Sequence, residues 1–118
     1  MVDPGKATLV LPHPGQLDVH NVSVEELTAR VEGRRVIVNA SWWSGVEPCY
    51  VLDSVAVKVD GTSITVSVRE GSSARDAMCI EIAMHKVTVI DLGELEPGRY
   101  TIAADKGDAR PIEVTVNA

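Results

Sequence analysis

Cys49 and Cys79 are the only thiols in the chain and stand about 30 residues apart. Joined, they close a loop whose lost unfolded-state entropy is worth roughly 3–4 kcal/mol. That is a large share of the roughly 5–15 kcal/mol that keeps a domain folded. Two other chemistries suit the pair: buried free thiols that pack as small hydrophobes, or thiolates that hold a metal or cycle between redox states. With no CxxC and no His at ligand spacing, a structural disulfide is the preferred reading, and the other two stay open.

The run Ser41-Trp-Trp-Ser-Gly-Val-Glu-Pro-Cys-Tyr50 offers recognition chemistry. Neighbouring residues on a strand point to opposite faces, and parity with Val36 and Val38 sends Trp42 inward and Trp43 outward. An outward indole beside Gly45 and Pro48 can stack on a sugar, a peptide or a partner surface, or it can cap an end of the fold. The candidate ligand-binding residues are Trp42, Trp43, Glu47, Pro48 and Tyr50.

Met84 and His85, with Met78, His13 and His20 elsewhere, form a weak alternative copper set, since thioether and imidazole suit Cu(I) and Cu(II). Met78 and Met84 share parity with Ile80 and Ile82, as core methionines do. No metal site and no cofactor is therefore expected. Glu47, Asp53, Glu81 and Asp91 are isolated carboxylates with no inferable acid–base partner. The serines and histidines lack an elbow or oxyanion loop, so the chain is not expected to be an enzyme. A Lys–Asn crosslink from Asn117 to Lys6 or Lys58 has no specified constellation.

The elements that must position these residues are strands. Val55, Val57 and Val59 alternate with polar residues, as do Ile64, Val66 and Val68, and Asp60-Gly61 between them is a hairpin signal suited to a two-residue type I′ turn. The resulting hairpin is expected to lie over a core. Leu27, Ala29 and Val31 pair with Val36, Val38 and Ala40 through Glu32-Gly33. Tyr100, Ile102 and Ala104 pair with Ile112, Val114 and Val116. Ile80, Ile82 and Met84 make another row, and Ala7–Leu11 a further strand. Val87 and Val89 are out of phase with Met84, which a bulge near His85-Lys86 would reconcile. Ser23–Glu26 resembles a capping box worth one helical turn at most, and residues 71–77 form a polar loop.

Strands at turn spacings of roughly 8–12 residues mark a sandwich or barrel. The expected fold is all-β: an Ig-like antiparallel β-sandwich of about seven to eight strands with one disulfide. One domain spans residues 1–118, with 1–6 as a flexible leader. Composition agrees: β-branched residues dominate the 45% hydrophobic fraction, and Phe is absent. The net charge of −6 is spread over both halves, so there is no basic footprint for nucleic acid. No apolar run is long enough to span a bilayer.

The run Trp43-Ser-Gly-Val-Glu-Pro-Cys-Tyr-Val-Leu-Asp53, then Thr62–Glu70, then Cys79-Ile-Glu-Ile-Ala83 resembles a family of small uncharacterised bacterial proteins. Those carry a W-x-G-V-x-P-C-x-x-L motif, a V-T-V-T-like strand and a second C-I-x-I-A cysteine, and the similarity covers about residues 34–95. The resemblance implies an exported or lipid-anchored protein in which Cys49 and Cys79 are the paired cysteines. It departs at Leu92–Thr101, where many members end in a P-L-G-D-R-like turn. There the Leu95-x-Pro-Gly-x-Tyr-Thr segment is similar to a late turn of Ig-like bacterial surface domains. No signal peptide or lipidation cysteine is present. Met-Val-Asp-Pro-Gly reads as a start that follows a removed leader.

The expected function is a non-enzymatic, exported bacterial binding or cell-surface interaction module. Its location is extracellular, periplasmic or surface-anchored, and its partner an unknown protein, peptide or glycan. A spacer domain without a ligand and a copper-handling periplasmic domain are the alternatives.

Overall fold

A computed structural model describes residues 7–76 and 78–118. The proposed leader at 1–6, including Lys6, and Ala77 of the 71–77 loop lie outside the described residues. Among these described residues nine strands form, in the order β1 (Thr8–Leu9), β2 (Leu17–Asn21), β3 (Glu26–Glu32), β4 (Arg35–Ser44), β5 (Val51–Asp60), β6 (Ser63–Ser72), β7 (Met84–Glu94), β8 (Gly98–Ala104) and β9 (Ile112–Val116). One sheet runs β1-β7-β4-β3; the other runs β2-β6-β8-β9, with β5 on the far side of β6. The architecture is the expected disulfide-linked sandwich. Two of its pairings, β1 with β7 and β6 with β8, are parallel.

The alternation in the sequence explains the core. Val36, Val38, Ala40 and Trp42 of β4 face Ile64, Val66 and Val68 of β6, and all seven are buried. Ile102, Tyr100, Val116 and Leu27 complete the layer. A β-branched side chain has few rotamers to lose on a pleated surface, so these rows order at low entropic cost. The β3–β4 and β8–β9 pairings keep the expected partners, with Ala29 opposite Val38 and Tyr100 opposite Val114.

Four local expectations are corrected. The β5–β6 hairpin turns at Gly61-Thr62, because Asp60 already pairs with Ser63. Only Gly61 of the two has positive φ, the demand of a type II′ turn rather than I′. Residues 23–25 form no helical turn: Val24 is buried, and its backbone bonds to Lys106 O and Ala109 N. Residues 78–83 are not a strand, because β4 ends at Ser44 opposite Met84 and offers no ladder beyond it. No kink occurs at His85-Lys86. Instead β7 turns Lys86, Thr88 and Ile90 inward and leaves Val89 outside; the shift in the ladder falls opposite Val36 and Ile37.

The expectation that both strands of the hairpin cover the core holds along β6 but only for the first half of β5, where Leu52 is buried and Val55 packs against the core. Val57 and Val59 sit opposite Val66 and Ile64 on the inner face, yet Val59 is 58% exposed. On this side the first sheet ends in β1, which has two residues and covers only the upper part of β7. On the other side β9 lies against β3 and closes the sandwich.

Candidate functional site

The end of the sandwich that carries Cys49 and Cys79 is built from two loops. After β4 the chain turns through Gly45–Tyr50, closed by the bond from Tyr50 N–H to Val46 O at 3.1 Å. The Glu47-Pro48 peptide is cis. After β6 the chain returns past this turn, and Ser73 N–H donates to Pro48 O at 2.9 Å. The Cys49–Cys79 disulfide joins the two loops, with Cα atoms 6.0 Å apart, inside the range a disulfide spans.

This tie holds residues 78–83 away from either sheet. Their strand-like alternation therefore has no ladder to enter, and the apolar side chains stay in solvent. Met78 is 96% exposed, Ile80 66% and Ile82 55%. Tyr50, also exposed, borders the same rim, and a cleft of about 500 Å3 runs between Gly45, Tyr50 and Ile80–Ala83. The Tyr50 ring lies where a Cβ on Gly45 would be, so glycine is required there. Glu47, Asp76 and Glu81 are exposed around this rim, with Arg75 the one basic residue among its described positions.

The two tryptophans divide as strand parity requires. Trp42 is fully buried in the core and unavailable to a ligand from outside. Trp43 is 51% exposed on the outer face of the first sheet. It stacks on His85, its cross-strand neighbour, with ring centroids 4.5 Å apart and planes 6° from parallel. His85 Nε2 lies 3.9 Å from a Glu25 carboxylate oxygen. One face of Trp43 is thus occupied by the protein itself.

The five candidate binding residues do not converge. Tyr50 and Glu47 share the disulfide end, Pro48 uses its carbonyl to tie the loops, Trp43 faces the outer sheet surface and Trp42 the core. Met84 and His85 are consecutive on β7 and point to opposite faces, while His20 lies on β2 in the other sheet, its ring bonded to Asp18 O. Among the described residues no three His, Cys, Asp or Glu side chains group to hold a metal ion. Lys58 on β5 and Asn117 after β9 are at opposite edges of the second sheet.

Sequence reasoning missed the charged pair beneath the disulfide end. Lys86 Nζ donates to Glu70 Oε2 at 2.9 Å and to Tyr50 O at 3.0 Å, and Ser44 Oγ donates to the same Glu70 oxygen at 2.9 Å. Both charged side chains are nearly inaccessible, at 3% and 1% exposure. The signal was present in parity: Glu70 continues the row Ile64, Val66, Val68, and Lys86 continues Thr88 and Ile90. Default assignment of charge to the surface hid it.

Two other carboxylates fasten backbone. Asp53 accepts the Gln16 N–H at 3.0 Å and the Gly15 N–H at 2.9 Å, pinning the segment before β2 to β5. Its pKa is held below the ordinary 3.8, first by the Gln16 N–H and then by the Ser54 side chain; desolvation opposes them, and the Gly15 N–H and the Arg69 charge add less. Asp91 is likewise lowered, first by the Gly93 N–H at 2.8 Å and then by Arg35, which meets both carboxylate oxygens. Both are structural fasteners, Asp53 half-buried and Asp91 exposed.

Comparison with known proteins gives one family. The family model described as ORF11 beta-sandwich domain matches residues 44–117, which includes both cysteines and every strand from β5 onward. No curated protein and no solved structure matches the chain.

Proposed function

The chain belongs to the ORF11 beta-sandwich domain family, and on that premise we propose that it is a non-enzymatic, exported bacterial interaction module. In this reading it is an Ig-like sandwich at the cell surface or in the periplasm, and the disulfide end grips a protein partner. A disulfide is compatible with an oxidising compartment.

One observation carries the reading: Met78, Ile80 and Ile82 project from a covalently tethered rim beside Tyr50. Large apolar side chains grouped in this way mark interaction surfaces when polar residues surround them. The tether limits the entropy that the segment loses on docking. The acidic rim of Glu47, Asp76 and Glu81 selects a partner whose apolar patch is bordered by Lys or Arg. Trp43 contributes its free face from the adjoining side.

Panning a random peptide-display library tests this. Enriched peptides are expected to combine apolar residues with Lys or Arg, and to bind at least about tenfold more weakly after Ile80→Ser/Ile82→Ser substitution. Val59→Ser, at the opposite end of β5, is expected to leave them unchanged. Ligands indifferent to the Ile80 and Ile82 changes would remove the assignment.

A further inference from the structure

The cleft between β1 and the Tyr50–Leu52 segment adjoins the rim just described, sharing Glu47 and Tyr50 with it, and its floor is unusual. It has a volume of about 270 Å3, its walls include Leu9, Val10, Leu52 and Met84, and Lys86 closes it from below. We propose that this cleft binds a small neutral amphiphile: an apolar chain or ring bearing one carbonyl or hydroxyl oxygen that accepts a hydrogen bond from Lys86. The proposal does not depend on the partner surface.

The argument starts from the valences of a buried ammonium. Lys86 Nζ has three N–H donors, and two are directed to Glu70 Oε2 and Tyr50 O. Among the described residues the third meets no acceptor, and Glu70 Oε1 also lacks a partner. A buried charged network left part-satisfied is costly because the low local dielectric strengthens missing interactions as well as those made. An oxygen arriving from the cleft completes the ammonium.

The charges fix the character of that oxygen. Glu70 already neutralises Lys86, and Glu47 lines the cleft, so an anionic head meets two carboxylates. A cationic head meets the ammonium. A neutral acceptor meets neither objection. The volume equals that of roughly nine waters, which suits a ligand of similar heavy-atom count with its apolar part against Leu9, Leu52 and Met84.

Methyl NMR titration with hexanamide, hexanoate and hexylammonium, which share one chain and differ in head, tests this. Hexanamide is expected to shift the methyl signals of Leu9, Leu52 and Met84, and to bind about tenfold more tightly than either charged analogue. In Lys86→Met/Glu70→Leu, where both charges leave together, that preference is expected to vanish while chain binding persists. Leu9→Trp, a change at an exposed β1 position, is expected to fill the cleft and abolish the shifts. The proposal is overturned if hexanamide leaves these methyls unmoved at millimolar concentration or if hexanoate binds as well. It is also overturned if the head preference survives the double substitution, or if Leu9→Trp changes nothing.

Discussion

Lys86 Nζ lies 2.9 Å from Glu70 Oε2, and the contact runs from the first sheet to the second through the interior. The same ammonium holds the Tyr50 carbonyl, one residue from Cys49, and the same carboxylate holds Ser44 at the end of β4. The root of the disulfide loop is therefore set by buried charge as well as by sulfur. The exposed rim above it projects from a fixed base.

Removing one partner of this pair is expected to cost far more than removing both. Lys86→Met alone leaves the buried Glu70 carboxyl without its counter-charge, and destabilises by about 3–5 kcal/mol. Lys86→Met/Glu70→Leu is expected to fall within about 1 kcal/mol of the parent, since two apolar side chains avoid the desolvation penalty. Urea denaturation of the three proteins checks the order.

Reduction of the disulfide lengthens the free chain of the unfolded state. With a separation of 30 residues, the loss is expected to be about 3–4 kcal/mol. Denaturation midpoints with and without reductant measure it. Cys49→Ser/Cys79→Ser is expected to match the reduced protein, and a change below about 1 kcal/mol would contradict the tether's role.

Asp53 and Asp91 predict an acid limb of the stability curve. Both folded pKa values are depressed below the ordinary 3.8, so their contribution is fully present above that value. It is lost as pH falls through the lower folded pKa. The melting temperature is expected to drop below pH 3.8 more steeply in the parent than in Asp53→Asn/Asp91→Asn. Asparagine keeps an acceptor for the backbone N–H groups but does not titrate, so equal slopes would argue against both fasteners.

How far the sequence could be read depended on where side-chain character and strand parity agreed. Val36, Val38 and Trp42, and Ile64, Val66 and Val68, announced buried rows because apolar type and alternation coincide. Trp43 was placed outward by the same parity. The reading failed where tertiary context decides. Ile80 and Ile82 alternate like a strand, but the Cys79 tether and the end of β4 at Ser44 leave them no neighbour to pair with. Val57 and Val59 lie on the inner face as expected, but the shortness of β1 leaves them uncovered. Lys86 and Glu70 escaped because each is tolerable inside only with the other, and a pairing 16 residues apart across two sheets has no local signature.

Gly107 adopts φ +108°, and a Cβ there would strike the backbone N and O of Val24. Gly107→Ala combines backbone strain with a clash that no side chain can relieve, and is expected to cost about 2–4 kcal/mol. Gly15, at φ +99° but with open space around it, is the control. Gly15→Ala is expected to cost about 1 kcal/mol, from strain alone. Thermal denaturation of both variants reads the difference.

The most direct test of the disulfide end as the contact surface is photo-crosslinking in the producing organism, with a benzophenone residue at position 80 or at position 59. Position 80 is expected to give a discrete protein adduct that is lost on Met78→Ser/Ile82→Ser substitution, while position 59 gives none. An adduct of the same size from both positions, or one that survives the Met78 and Ile82 changes, would contradict the account.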